Sequence, residues 1–124
     1  MKKTLVLLAS LMLAGTMAYA ASADKGKVLF ESPRLGGGTT GKSCNTCHAG
    51  GKKLGGDLFK RKQFTIMGMG KKTLAEVINV CIEKPLGGKA IDPLGQEMQD
   101  LMAYMKTLTT KPAKTKAPKK VEGC

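Results

Sequence analysis

The sequence predicts a small all-α domain. Three segments begin with residues typical of helix starts, and two of them carry apolar residues at the spacing of one helix face. A third observation is the run Cys44-Asn45-Thr46-Cys47-His48, which has the cysteine and histidine spacing of a c-type haem attachment site. A haem would supply the large apolar surface that a small, aromatic-poor domain lacks. We therefore expect short helices packed around one covalently bound haem.

The first helix is predicted over residues 23–32. Ser22 can cap its N-terminus, and Pro33 ends it. Gly26 and Phe30 lie four residues apart and therefore share a face. A glycine inside a helix costs about 1 kcal/mol relative to alanine. Gly26 indicates either that another backbone passes close to it or that it is a tolerated surface glycine.

The second helix is predicted from Thr73 to about Glu83. Thr73 and Glu76 have the spacing of a capping box, and Pro85 prevents the helix from continuing. Four residues at positions i, i+3, i+4 and i+7 form one apolar stripe: Leu74, Val77, Ile78 and Cys81. Because such a stripe faces the core, the side chain of Cys81 is expected to point inward.

The third helix is predicted to start at Asp92-Pro93, with an acid at the cap and proline at the first helical position. Its apolar residues at helical spacing are Met98, Leu101, Met102, Met105 and Leu108, with Tyr104 beside them. We interpret most of these methionines as core residues, since methionine fills irregular apolar gaps. Between the helices, residues 57–64 are predicted to hold one helical turn, and residues 67–70 form a flexible apolar segment suited to lining a pocket.

The Cys-x-x-Cys pair has two other uses, in thioredoxin-like redox centres and in zinc sites. A thioredoxin-like centre requires that the pair follow a strand, whereas the flanking residues here are typical of loops. A zinc site would need the two remaining cysteines, Cys81 and Cys124. Haem attachment is the interpretation that we favour: Cys44 and Cys47 each bond to one vinyl group, and His48, the only histidine, ligates the iron.

The N-terminal segment 1–20 has the pattern of a secretory signal peptide. A basic start is followed by an apolar run, and small residues predict cleavage after Ala20, with a second candidate cut after Ala23. The apolar run, residues 5–17, is too short to span a membrane. We therefore expect a soluble protein exported to the periplasm, the compartment to which covalent haem attachment belongs.

Without residues 1–20, the chain divides into a folded domain over 21–108 and a disordered basic tail rich in proline and lysine over 109–124. The chain has 21 basic and 9 acidic residues; without Lys2 and Lys3, 19 basic residues remain and the net charge is +10. This balance fits an acidic protein, an anionic membrane surface or nucleic acid. Export argues against nucleic acid, so we expect redox partner proteins with acidic docking surfaces. The alternative is a basic surface that is solvated and binds no partner. The sequence does not distinguish whether this tail contacts a partner protein, a membrane surface or nothing.

The predicted domain resembles the class I cytochrome c family. The resemblance rests on the first helix with Gly26 and Phe30, on the motif at 44–48, and on a last helix that reads Leu-Met-Ala-Tyr-Met at 101–105. In that family the first and last helices cross, with a small residue at the crossing and aromatic residues packed against it. The resemblance implies a small cytochrome c fold with one haem, and it favours a close approach at Gly26.

The chain departs from that family at the sixth ligand of the iron. Class I members usually place a methionine in the loop before the last helix, and residues 85–91 contain none. A narrower resemblance is carried by residues 78–89, Glu97-Met98 and Ala103-Tyr104. It is to the haem domains of thiosulfate dehydrogenases and of sulfur-oxidising (Sox) haem subunits. In those domains a cysteine at the position of Cys81 ligates the iron, so the resemblance implies Cys81 as the sixth ligand.

Other arrangements at the sixth position stay open. The alternative ligands are Met69, Met67 and Met98. Cys81 could instead be a buried free thiol or form a disulfide bond with Cys124. An anionic thiolate ligand would stabilise ferric iron, whereas a methionine ligand would raise the reduction potential.

The expected function is that of a periplasmic one-electron carrier between redox partners rather than an enzyme, because the chain shows no evident general acid, general base or second metal site. The alternative is a haem subunit of an enzyme that oxidises inorganic sulfur compounds through a Cys81-ligated haem. Against that alternative, the chain has one haem motif, whereas thiosulfate dehydrogenases of this kind carry a second haem domain. A third hypothesis, a gas or redox sensor, requires a displaceable sixth ligand.

Overall fold

The computed structural model describes residues 19–110, which form a mostly helical fold. The elements are helices α1 (Ala23–Glu31), α2 (Cys44–His48), α3 (Leu74–Glu83) and α4 (Gln96–Thr110), strands β1 (Phe64–Ile66) and β2 (Met69–Lys71), and 3-10 turns at Leu35–Gly37, Ala49–Gly51 and Leu58–Lys60. Most of the predicted signal peptide and of the predicted tail lies outside the described residues. Within residues 19–110, no helix is long and apolar enough to cross a bilayer.

The core is built around the contact between α1 and α4. Gly26 is buried at this contact, and a Cβ atom added there would overlap the backbone carbonyl oxygen of Asp100 on α4. One turn further along α1, the ring of Phe30 packs edge-on against the ring of Tyr104, with 5.3 Å between their centroids. Gly26 therefore marks a close approach of two helices, which confirms the first of its two interpretations.

The capping residues predicted for α1 and α3 are confirmed. The Ser22 hydroxyl accepts a hydrogen bond from the Lys25 N–H at 3.3 Å, and α1 ends one residue before the predicted position. At α3, Thr73 Oγ1 accepts from the Glu76 N–H at 3.2 Å, and the Glu76 carboxylate accepts from the Thr73 N–H at 3.1 Å. This reciprocal pair satisfies two backbone donors that have no partner inside the helix, and α3 ends where it was predicted to end.

The start of α4 differs from the prediction. Asp92 and Pro93 lie in a turn, in which the Asp92 side chain accepts from the Leu94 N–H at 2.9 Å and the Asp92 carbonyl accepts from the Gly95 N–H at 3.1 Å. α4 begins only after this turn, because the aspartate side chain satisfies the local backbone in a non-helical conformation. The helix then continues to Thr110, two residues beyond the predicted domain boundary.

The all-α prediction is wrong for residues 64–71, which form an antiparallel hairpin. The strands pair Phe64 with Lys71, Thr65 with Gly70, and Ile66 with Met69. The connecting residues Met67 and Gly68 both have positive φ angles, 48° and 75°, as the central residues of a type I′ turn require. The segment predicted to be flexible, residues 67–70, is therefore fixed by strand pairing. The helical turn predicted within residues 57–64 is present as a short 3-10 turn.

Asp100 is a buried carboxylate at the contact between α1 and α4. Only 3% of the residue is exposed, and its Oδ1 accepts hydrogen bonds from the Ser22 N–H at 2.7 Å and from the Gln96 side-chain amide at 2.8 Å. The Ser22 N–H above all, and then the Gln96 amide, hold the pKa of Asp100 below its ordinary value. The ionised carboxylate therefore links the start of α1 to α4.

The close approach at Gly26 predicts that Gly26→Ala destabilises the fold. Alanine is the better helix former, but its methyl group would push the two helices apart, so we expect the free energy of unfolding to fall by about 1–3 kcal/mol. Denaturant unfolding followed by circular dichroism measures the change. Gly56→Ala is the matched control, because a Cβ atom there meets no atom within 4 Å. A stabilised Gly26→Ala variant would show that the helices do not touch at this residue.

The lowered pKa of Asp100 predicts a pH-dependent contribution to stability. The contribution is complete above the ordinary aspartate pKa and is lost as the pH falls through the lowered pKa of the folded state. We expect Asp100→Asn to reduce the free energy of unfolding by about 1.5–3 kcal/mol at pH 7, and the difference from wild type to vanish in acid. Unfolding curves between pH 2 and 7 test this, with the exposed Glu97→Gln as control. A difference that is constant with pH would contradict it.

Candidate functional site

A cavity of about 280 Å³ lies among the four helices and strand β1. Its size is close to the lower end of the range for small-molecule sites, about 300–1,000 Å³. The wall is largely apolar, and it includes all four residues of the predicted α3 stripe: Leu74, Val77, Ile78 and Cys81. Phe30 of α1 and Leu101 of α4 also line it. The stripe therefore faces inward as predicted, and it faces this cavity.

The Cys-x-x-Cys-His motif forms the short helix α2 at one side of the cavity. The Ser43 N–H donates to Thr46 Oγ1 at 2.9 Å, which fixes the start of the helix. Cys44 and His48 are four residues apart, about one helical turn, and both line the cavity. Cys47 is exposed. The structure thus brings the first cysteine and the histidine to the cavity and leaves the second cysteine at the surface.

The imidazole of His48 is oriented by a backbone carbonyl. His48 Nδ1 lies 2.9 Å from the carbonyl oxygen of Lys52, and because a carbonyl only accepts hydrogen bonds, Nδ1 is the protonated nitrogen. In the neutral imidazole, the lone pair is then on Nε2. Histidines that ligate metals commonly donate their other ring N–H to a backbone carbonyl, which fixes the tautomer and the ring orientation. His48 is therefore arranged as a metal-ligating histidine would be.

Cys81 lines the same cavity as Cys44. Both residues are partly buried, and Cys44, Cys47 and Cys81 are all free thiols. Burial, and secondarily the nearby Cys81, raises the pKa of the Cys44 thiol to about 11. Burial first, and then Cys47, also raises the pKa of the Cys81 thiol above its ordinary value. The structure thus supports the inward orientation predicted for Cys81 and places it near the motif.

The methionines proposed as alternative ligands do not line the cavity. Met67 is 58% exposed in the hairpin turn, Met69 is partly buried on β2, and Met98 is fully buried in the core. Met105, which the sequence interpretation assigned to the core, does line the cavity and is only 5% exposed. Its position on the α4 stripe did not distinguish it from the other methionines there, so the sequence carried no signal that could single it out.

The segment between α3 and α4 is held by hydrogen bonds to other parts of the chain and does not line the cavity. The N–H groups of Thr39 and Thr40 donate to the Leu86 carbonyl at 2.9 and 3.2 Å. The Asn79 side-chain amide donates to the Ile91 carbonyl at 2.9 Å and accepts from the Ile91 N–H at 3.0 Å. None of the residues between α3 and α4 lines the cavity. The sulfur and imidazole side chains that line the cavity therefore all come from α2, α3 and α4.

Two cationic side chains, Lys53 and Arg61, line the cavity beside its apolar wall, and no carboxylate lines it. Asp57 holds Arg61 in place: its two carboxylate oxygens accept from Arg61 Nη2 at 2.6 Å and from Nε at 2.9 Å. An apolar cavity with positive charge at its edge fits an apolar ligand that carries acidic groups. No motif or periodic pattern in the sequence points to these two residues, because they lie in irregular segments.

No protein-family model matches this chain, and neither does any curated protein or solved structure. The structure by itself establishes a mostly helical fold over residues 19–110 and a cavity that collects Cys44, His48 and Cys81. The resemblance to class I cytochromes c rests on the motif and the helix features of the chain alone.

Proposed function

We propose that this protein is a monohaem c-type cytochrome that carries single electrons between redox partners in the periplasm. The observation that carries the proposal is the hydrogen bond from His48 Nδ1 to the Lys52 carbonyl, on a histidine that shares the cavity with Cys44. A lone histidine on a surface helix needs no such orientation. A histidine that must present Nε2 to a metal needs its ring to be fixed by such a hydrogen bond.

The other residues of the cavity suit a covalently bound porphyrin. Cys44 at the cavity wall and Cys47 at the surface are the two thiols available for thioether bonds. They are three residues apart on α2, which is slightly less than one helical turn. Lys53 and Arg61 suit the carboxylates of such a ligand. The apolar wall around Phe30 and Leu101 would exclude water from the ring. When bound, the haem would supply an iron that alternates between ferric and ferrous states and so accepts or donates one electron.

The second protein ligand to such an iron is proposed to be Cys81. It is one of two further sulfur side chains that line the cavity, the other being Met105. Within residues 19–110, no three histidine, cysteine or acidic side chains cluster closely enough to hold a metal ion by themselves. A porphyrin would provide the remaining ligands, and His48 and Cys81 would be the two that the protein supplies. Coordination would require Cys81 to lose its proton, and a thiolate would lower the reduction potential.

A second candidate function is favoured by the same placement of Cys81. A cysteine that shares a cavity with the haem motif is what a haem subunit of an enzyme oxidising inorganic sulfur compounds would require. The single motif argues against that function for this chain acting alone, and a shared fold does not transfer an activity. Steady-state turnover with thiosulfate or sulfite as the only electron donor, with and without a second haem protein, separates the two candidates.

Covalent haem attachment is the first test of the proposal. We expect the protein purified from a host that matures c-type cytochromes to exceed the mass of the mature polypeptide by one haem, and to show a c-type absorption band on reduction. The double variant Cys44→Ser/Cys47→Ser should lose the covalent haem, because both thioether bonds need a thiol. Cys124→Ser serves as the control and should keep it. A wild-type mass equal to that of the bare polypeptide would refute the proposal.

The identity of the second ligand is tested by two sulfur variants. Cys81→Ala should abolish the thiolate signature in the ferric electron paramagnetic resonance spectrum and raise the reduction potential. Met105→Leu, which nearly conserves side-chain volume, should leave both unchanged. An unaltered ferric spectrum in Cys81→Ala, or a loss of the low-spin signal in Met105→Leu, would assign the position to another residue.

A further inference from the structure

A tight turn over residues 49–53 follows the haem motif directly. The Lys52 N–H donates to the Ala49 carbonyl at 3.2 Å, which closes the turn. The Lys52 carbonyl accepts the hydrogen bond from His48 Nδ1 at 2.9 Å. The imidazole therefore keeps its orientation only as long as this turn keeps its position. Because both hydrogen bonds are local, the position of the turn depends on its contacts with the rest of the fold.

Helix α4 contacts this turn at Gly51. A Cβ atom added to Gly51 would lie 3.0 Å from the Cβ atom of Leu108 and 3.1 Å from the Leu108 carbonyl oxygen. Both distances are shorter than an ordinary van der Waals contact. Gly51 also has a φ angle of 84°, which glycine adopts without a steric penalty. The turn therefore packs against the last turn of α4, with no room for a side chain between the two backbones.

The α4 side of this contact is anchored in the core. Leu108 is partly buried and packs against the hydrophobic core. It lies three residues after Met105, which lines the cavity. The neighbouring Gly50 also has a positive φ angle, 62°, but a Cβ atom added there would meet no atom within 4 Å. Of the two adjacent glycines, Gly51 alone lies against α4.

We propose that Gly51 is a positioning residue for His48. By packing against Leu108 it holds the Lys52 carbonyl in the place where it accepts the Nδ1 proton, and so it fixes the imidazole that lines the cavity. Helix α4 then contributes Met105 to the cavity wall and, through Gly51, also determines the orientation of the histidine. That the imidazole ligates an iron rests on the proposed function; the coupling of α4 to His48 does not.

Two matched variants of the full-length protein test this role. Gly51→Ala and Gly50→Ala each place a methyl group on a residue with positive φ, but only the first adds a close contact with Leu108. Because His48 is the only histidine, the NMR signal of a protonated imidazole nitrogen belongs to this residue. We expect the Nδ1 proton of the reduced protein to exchange with solvent about two- to tenfold faster in Gly51→Ala, since its hydrogen bond is weakened. Gly50→Ala should match wild type.

A second pair of variants changes the contact from the side of α4. Leu108→Gly removes the side chain against which Gly51 packs and leaves the sequence of the turn unchanged. Lys106→Gly places the same residue type at an exposed position of the same helix. The first should also accelerate exchange of the Nδ1 proton, and the second should not. This pair keeps the proposal testable if Gly51→Ala does not fold.

Equal exchange rates in wild type, Gly51→Ala and Leu108→Gly would overturn the proposal. Equal acceleration in Gly51→Ala and Gly50→Ala would also overturn it, because strain within the turn would then explain the effect. In a protein that carries haem, Gly51→Ala should raise the reduction potential and Gly50→Ala should not, since a histidine with a weaker hydrogen bond is a less basic ligand. A protein without haem would refute the proposed function and leave the exchange result standing.

Discussion

The close packing of α1 against α4 is the constraint on which the rest of the structure depends. It is set by the missing side chain of Gly26, which lets the α1 backbone reach the carbonyl of Asp100. The same two helices then contribute Phe30, Leu101 and Met105 to the cavity wall. A wider separation of the helices would displace that wall. The geometry of the candidate site therefore depends on a glycine that does not line the cavity.

The side chains of the candidate site are positioned in two different ways. Helix α2 holds Cys44 and His48 one turn apart, which is a local property of five consecutive residues. Cys81 reaches the same cavity from α3, whose start is fixed by the capping box at Thr73 and whose following segment is hydrogen-bonded to Thr39 and Thr40. A cofactor attached to α2 would thus meet a sulfur ligand presented by an independent, well-anchored element. Two ligands held by separately anchored elements would limit reorganisation of the site during electron transfer.

The errors of the sequence predictions have physical causes. Asp92-Pro93 looks like a helix start, but the aspartate side chain satisfies a local turn instead, and α4 begins later. Strands β1 and β2 have three residues each, too few for an alternating pattern to be read, and their pairing depends on the two positive φ angles of the turn between them. Met105 and Arg61 reach the cavity through tertiary packing, which leaves no local pattern in the chain.

The sequence by itself determined the features that are local along the chain. These are the Cys-x-x-Cys-His spacing, the caps of α1 and α3, and the stripe that turns Cys81 inward, because the residues involved in each feature lie within two helical turns of one another. The tertiary structure alone decided which side chains from different elements meet. It joined Gly26 to Asp100 and placed Lys53 and Met105 at the cavity. Such contacts depend on how separate elements pack, and no short-range pattern encodes them.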